Sequence, residues 1–162
     1  MSAQSIHIVL SVAWQDAGDT TRAIAMAVAL RDMCPPEIDL KIDFLSCGAR
    51  FEYQITDAGF NIVPAQPRVK GISVAHDLGW DWPEFFGSEE IAKSFIDGQL
   101  AAFKELKPDI VFHGMWAPAS IAARLLGIRT VNFLPVPLHP GAFAHGLVRD
   151  LPDLIPLFTR LP

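Results

Sequence analysis

From Ile6 to Val12 the chain is almost continuously apolar, as a strand buried on both faces of a parallel sheet would be. The period then changes. Over Asp19–Met33, Ile24, Ala27 and Val28 recur at helical spacing, with Asp19 or Thr20 as the N-cap. Cys34-Pro35-Pro36 stops that helix, because proline cannot continue it. Ile38–Leu45 alternates apolar and polar residues and reads as a second strand. Gly48 opens a short helix, Ala49–Ala58, which Gly59 closes from the C′ position. Phe60–Val63 is a short third strand. Pro64 to about Gly87 has little periodicity and reads as a long loop, the kind that is usually functional or mobile. Ser88-Glu89-Glu90 starts a helix that runs to Leu106 despite Gly98, and Lys107-Pro108 breaks it. Asp109–His113 is a fourth strand, Pro118–Leu126 a helix closed by Gly127, and Arg129–Leu134 a fifth strand. The remainder, from Pro135, is rich in proline, with a short apolar helix near Leu154–Phe158.

Strand and helix alternate, so the expected fold class is α/β: a Rossmann-like, doubly wound parallel sheet with helices on both faces. Right-handed crossovers wind the first three strands in one direction, and the long link then returns the chain to the other side of the first strand. The strand order this predicts is 3-2-1-4-5. Its switch point lies between the first and fourth strands, and ligands of open α/β sheets bind at such points. There the turn Trp14–Asp19 faces the turn His113–Pro118, with the loop Pro135–His145 beside them.

Composition narrows the classes of partner. The 162 residues, 1–162, are expected to form a single domain large enough for a real core. A net charge of −5 argues against a nucleic-acid binder, which needs a basic face. Cys34 and Cys47 lack metal-type spacing and read as reduced thiols. No basic and apolar leader precedes the first strand, and no uncharged apolar run reaches the ~18 residues a transmembrane span needs. The expectation is a cytoplasmic protein, with peripheral contact to a membrane left open.

The switch point selects the candidate chemistry. Asp19 has two readings, a helix N-cap and a general base that takes a proton from a substrate hydroxyl. Gly18 is the candidate cofactor-binding position of the turn, although a lone glycine is neither a dinucleotide fingerprint nor a P-loop. His113, at the carboxyl end of the fourth strand, is either a site residue or a hydrogen-bonded structural histidine. Trp116 either paves an acceptor pocket or covers the sheet end. Trp80 beside Asp77, Asp81 and Trp82 in the long loop suits a sugar or apolar-acceptor site and a lid packed by its own tryptophans equally, and with Trp14 and Asp16 of the first turn it is a further acceptor-binding candidate. So are His139 and Phe143; His139 and His145 stand in a loop without a usual zinc spacing, and no metal is expected. No nucleophile elbow occurs.

Three stretches together resemble the N-terminal domain of GT-B glycosyltransferases that move sugars from nucleotide donors to small lipophilic acceptors, such as sterol and antibiotic glycosyltransferases. Gly18-Asp19-Thr20-Thr21-Arg22-Ala23-Ile24-Ala25-Met26-Ala27 is similar to G-D-x-x-P-x-x-A-L-A. Phe51 to Pro64, with Ala58-Gly59-Phe60 and Val63-Pro64, is similar to a second family stretch that ends in glycine, an apolar strand and proline. Leu106-Lys107-Pro108-Asp109-Ile110-Val111-Phe112-His113-Gly114 with Ala117–Val131 is similar to a third. Their order and spacing carry the likeness, from the first strand to the fifth. Arg22 stands where the pattern has proline, and Ala13-Trp14-Gln15-Asp16-Ala17 replaces a small glycine-rich turn.

The resemblance implies an acceptor-binding half of an inverting hexosyltransferase, with the catalytic base at Asp19 and Asp16 as its rival. It implies a nucleotide-sugar co-substrate, UDP-linked by analogy, and no other cofactor. The sequence holds no second α/β domain and no donor-binding motif, so a C-terminal donor-binding domain is expected in cis or in trans. The isolated chain is expected to be inactive. The alternative is a non-catalytic scaffold that recruits a separate catalytic partner.

Overall fold

The computed structural model describes residues 4–12, 17–48, 50–69 and 89–133. The elements follow in the order β1 (Gln4–Val12), α1 (Ala17–Met33), β2 (Ile38–Ser46), α2 (Glu52–Asp57), β3 (Asn61–Pro64), α3 (Glu89–Leu106), β4 (Ile110–His113), α4 (Ala117–Leu125) and β5 (Arg129–Asn132). All neighbouring strands are parallel, and the five-stranded sheet has the order β3-β2-β1-β4-β5. This is the expected doubly wound topology, with β1 in the middle and the switch point between β1 and β4. Ser11 lies opposite Leu45 on one side of β1 and opposite His113 on the other.

Successive side chains of a strand point to opposite faces, and β1 uses both. Ile8, Leu10 and Val12 join Phe44 and Phe112 under Ala23 and Ala27 of α1 and Ile55 of α2. Val9 joins Leu45 and Val111 under Phe95, Ala102 and Phe103 of α3 and Ala119, Ala122 and Ala123 of α4. The small alanines let α1 and α4 approach the sheet closely, while the phenylalanines fill the wider spaces. Each fully buried Phe side chain contributes about 1.5–3 kcal/mol. The two faces thus form separate cores that share the central strand. A buried polar chain also ties α3 to the sheet, since Ser11 Oγ donates to Gln99 Oε1 at 2.7 Å.

Several boundaries differ from the sequence reading, each for a local reason. Helix α1 begins at Ala17, so Asp19 lies in its first turn and is not the N-cap. Helix α2 starts only at Glu52, after Phe51, which takes the non-helical N-cap position with φ −107° and ψ 17°. Strand β3 starts at Asn61, because the Phe60 amide already donates to the Ile55 carbonyl at the end of α2. The glycines expected to close helices do so, with φ of 81° at Gly59 and 69° at Gly127.

Gly98 interrupts the helix-forming pattern of α3 for a tertiary reason. After β3 the chain is held alongside β2 by bonds from the Ala65 amide to the Ser46 carbonyl (2.8 Å) and from the Val69 amide to the Cys47 carbonyl (2.7 Å). That segment brings the Gln66 backbone against α3, and a Cβ at position 98 would overlap the Gln66 carbonyl.

Below the switch point, toward the amino ends of the strands, the buried Asp43 carboxylate gathers three donors. His7 Nε2 lies 2.8 Å away, Lys41 Nζ 2.9 Å and Asn61 Nδ2 2.9 Å. Burial pushes the Asp43 carboxyl up, but the bonds from Asn61, Lys41 and His7, together with the Lys41 charge, outweigh it and hold the group below its ordinary value. His7 also bridges elements, its Nδ1 lying 3.1 Å from the Leu106 carbonyl at the end of α3.

Candidate functional site at the switch point

The first turn of α1 and the turn between β4 and α4 meet where the sheet changes direction. Asp19 makes the contact. Its side chain is fully buried, although it lies only a few residues from the carboxyl end of β1. The Met115 amide donates to Asp19 Oδ2 at 3.3 Å, so α1 and the β4–α4 turn are joined through one carboxylate. Arg22, one helical turn on, donates from Nη2 to Asp19 Oδ1 at 3.0 Å. The Arg22 side chain is 38% exposed, so the pair runs from the interior to the rim. An acidic group in the first turn also meets the positive end of the helix dipole favourably.

Gly114 lets the two turns come this close. A Cβ built there would fall on the Asp19 carboxylate, within 2.5 Å of Cγ. The next residue, Met115, is 42% exposed at the rim.

His113 ends β4 and is buried. Its Nδ1 lies 3.0 Å from the Gly114 carbonyl oxygen, an acceptor, so Nδ1 carries the proton. In the neutral ring Nε2 is then the acceptor. Trp116 is 1% exposed, its ring edge-on to Phe95 with centroids 5.2 Å apart, within the core under α3 and α4. Gly18 belongs to the first turn of α1, next to Asp19.

These distances bring together Asp19, Arg22, Gly114 and Met115, with His113 at the same turn. Arg22, Gly114 and Met115 were not among the site residues expected from sequence. The spacing of Asp19 and Arg22 was the readable signal, because residues three apart share a helix face. Chemically, the arrangement holds an ionisable carboxylate and a guanidinium at the carboxyl end of β1, with His113 ending the neighbouring strand β4. Among the described residues no group of three or more His, Cys, Asp and Glu gathers to hold a metal.

Solved structures share this architecture. The chain is similar to MurG of Acinetobacter baumannii, with a TM-score of 0.56 and 21% identity over 80% of this chain and 35% of that one. It is similar to the glycosyltransferase SsfS6 of Streptomyces sp. SF2575, solved with thymidine diphosphate, with a TM-score of 0.58 and 19% identity over 78% and 38%. The fold is of the GT-B type. A UDP-N-acetylglucosamine 2-epimerase also matches this GT-B domain, with a TM-score of 0.50 and 18% identity over 80% and 32%. The chain therefore spans a little over a third of the length of the glycosyltransferase structures it matches. No family model matches the sequence, and no curated protein sequence matches it.

The other candidates of the GT-B domain, Trp14, Asp16, Trp80, His139 and Phe143, lie outside the described residues, as do Asp77, Asp81, Trp82 and His145. Among the described residues no helix is long and apolar enough to cross a membrane.

Proposed function

We propose that the chain is the acceptor-side domain of an inverting glycosyltransferase and that Asp19 is its general base. The observation that carries this reading is the position of the Asp19 carboxylate at the β1–β4 switch point of a GT-B fold. In the reaction an acceptor hydroxyl oxygen attacks the anomeric carbon of a nucleotide sugar. The new C–O bond forms as the bond to the leaving phosphate oxygen breaks. The nucleoside diphosphate departs with that electron pair, and the hydroxyl proton passes to Asp19. The acceptor is a small lipophilic alcohol positioned by His113 and by residues of the neighbouring turns and loops. The sugar is a hexose from a nucleotide donor, UDP-linked by preference, held by a donor-binding domain in cis or in trans.

Asp19 is buried and already bonded to Arg22 and to the Met115 amide. A hydroxyl therefore has to approach from the rim, where Arg22 is exposed, and take the place of a present partner. Asp19→Asn in the complete enzyme keeps the shape of the side chain and removes its basicity. Turnover is expected to fall at least 100-fold with the fold retained, in line with the loss of a general base. Near-normal turnover would remove Asp19 from that role.

The same burial favours a second reading, in which Asp19 is a structural tie and the domain is a non-catalytic scaffold that recruits a catalytic partner. The likeness to a 2-epimerase leaves room for this reading, since a shared fold does not choose the reaction. Asp19→Asn separates the two. Loss of stability without loss of turnover supports the scaffold, and loss of turnover without loss of stability supports the base.

A further inference from the structure

Arg22 departs from the G-D-x-x-P pattern and at the same time touches the proposed base. A proline at that position has neither charge nor reach, so the pattern gives its aspartate no cation one turn along the helix. Here a guanidinium nitrogen sits 3.0 Å from Asp19 Oδ1, while the Met115 amide holds Oδ2 at 3.3 Å. The carboxylate end of the pair is fully buried and the arginine end reaches the rim.

Two effects compete at such a carboxylate. Burial disfavours its charged form, and a neighbouring cation with directed hydrogen bonds favours it. The charged and titratable groups that the described elements bring to the turn are few. Helix α1 supplies Asp19 and Arg22, β4 supplies His113, and α4 has no acidic residue in its first turn. The His113 Nδ1 is turned to the Gly114 carbonyl. Arg22 thus puts a permanent positive charge in contact with Asp19, and that charge offsets the cost of burying the carboxylate.

The geometry also fixes direction. Gly114 leaves a gap that the carboxylate fills, and Arg22 closes on it from the helix side. We propose that Arg22 is the positioning residue for Asp19, keeping the buried carboxylate ionised and seated against Gly114, and so setting the acid limit of proton transfer at this site. The proposal rests on Asp19 being the base, and it adds a residue through which that base is controlled.

The test uses the Met115 amide, which donates to the carboxylate and reports its charge in a nitrogen-15 NMR titration of the 162-residue chain. In Arg22→Met the midpoint of the Met115 transition should move to higher pH by about one pH unit, the smaller end of what a neighbouring opposite charge does. Arg22→Lys, which keeps the charge, should restore most of the wild-type midpoint. In the complete enzyme the acid limb of the kcat profile should move in the same direction. An unchanged midpoint in Arg22→Met overturns the proposal, and so does a midpoint in Arg22→Lys displaced as far as in Arg22→Met. Should Arg22→Met fail to fold, Arg22→Gln keeps a donor without the charge and is read by the same two criteria. The titration needs no activity. A complete protein without transferase activity would therefore refute the glycosyltransferase reading, while the amide midpoint still decides the role of Arg22.

Discussion

Gly114 and Asp19 occupy one space: the carboxylate of the helix residue fills the volume that any side chain at position 114 would need. Gly114→Ala therefore pushes a buried, ion-paired group out of its seat. Overpacking of this kind costs about 1–3 kcal/mol. A lower denaturation midpoint with weakened protection of the Met115 amide is expected in hydrogen exchange. An alanine variant as stable as the parent, with the amide still protected, would mean that the turns part without cost.

Gly98 sets two effects against each other. Alanine in a helix interior is favoured over glycine by about 1 kcal/mol. A Cβ at position 98, however, overlaps the backbone carbonyl of Gln66, which cannot swing away as a side-chain tip can. The overlap should win, and Gly98→Ala should lower stability in urea unfolding. A raised midpoint would show that residues 65–69 yield easily.

Asp43 gives the fold an acid limit. Its carboxyl is held below the ordinary value of 3.8, so it contributes stability that is fully present above that pH. The contribution is lost as pH falls through the depressed value, because protonation removes the charge that His7, Lys41 and Asn61 bind. Thermal midpoints of the wild type should drop more steeply below about pH 4 than those of Asp43→Asn, which has no carboxyl to protonate there. Parallel curves for the two proteins would remove Asp43 as the cause.

The two cysteines should differ in reactivity. Burial pushes the Cys47 thiol up to about 12, against small opposing effects from its Gln99 bond and the Arg68 charge. Its thiolate is then scarce at neutral pH, and the sulfur is covered. Cys34, partly exposed after α1, should take iodoacetamide first in the folded chain, with Cys47 modified only on unfolding. Peptide mass spectrometry resolves the order, and equal labelling under native conditions would contradict it.

The topology was legible in the sequence because it depends on pattern. Period-two and period-3.6 segments alternate, right-handed crossovers fix the strand order, and the order brings the first turn of α1 and the turn after β4 together. Details set by tertiary approach were not legible. Nothing local says that Gly114 is vacant for a carboxylate, or that Gly98 makes room for Gln66. The start of α1 at Ala17 moved Asp19 from the cap into the helix, where its spacing to Arg22 became a contact. Trp116 shows the same limit. As a residue type it suits a pocket wall or a core equally, and only the placement of α3 gives its ring the edge-on contact with Phe95.

The central position of β1 also carries a cost in time. During synthesis β1 can pair with β2 soon after both emerge, but its other neighbour, β4, arrives about 100 residues after it. At about 5–20 residues per second, one edge of this central strand waits about 5–20 s for its partner. In that interval Leu10 can meet Phe44 but not Phe112, so one edge of the strand is open to a ribosome-associated chaperone.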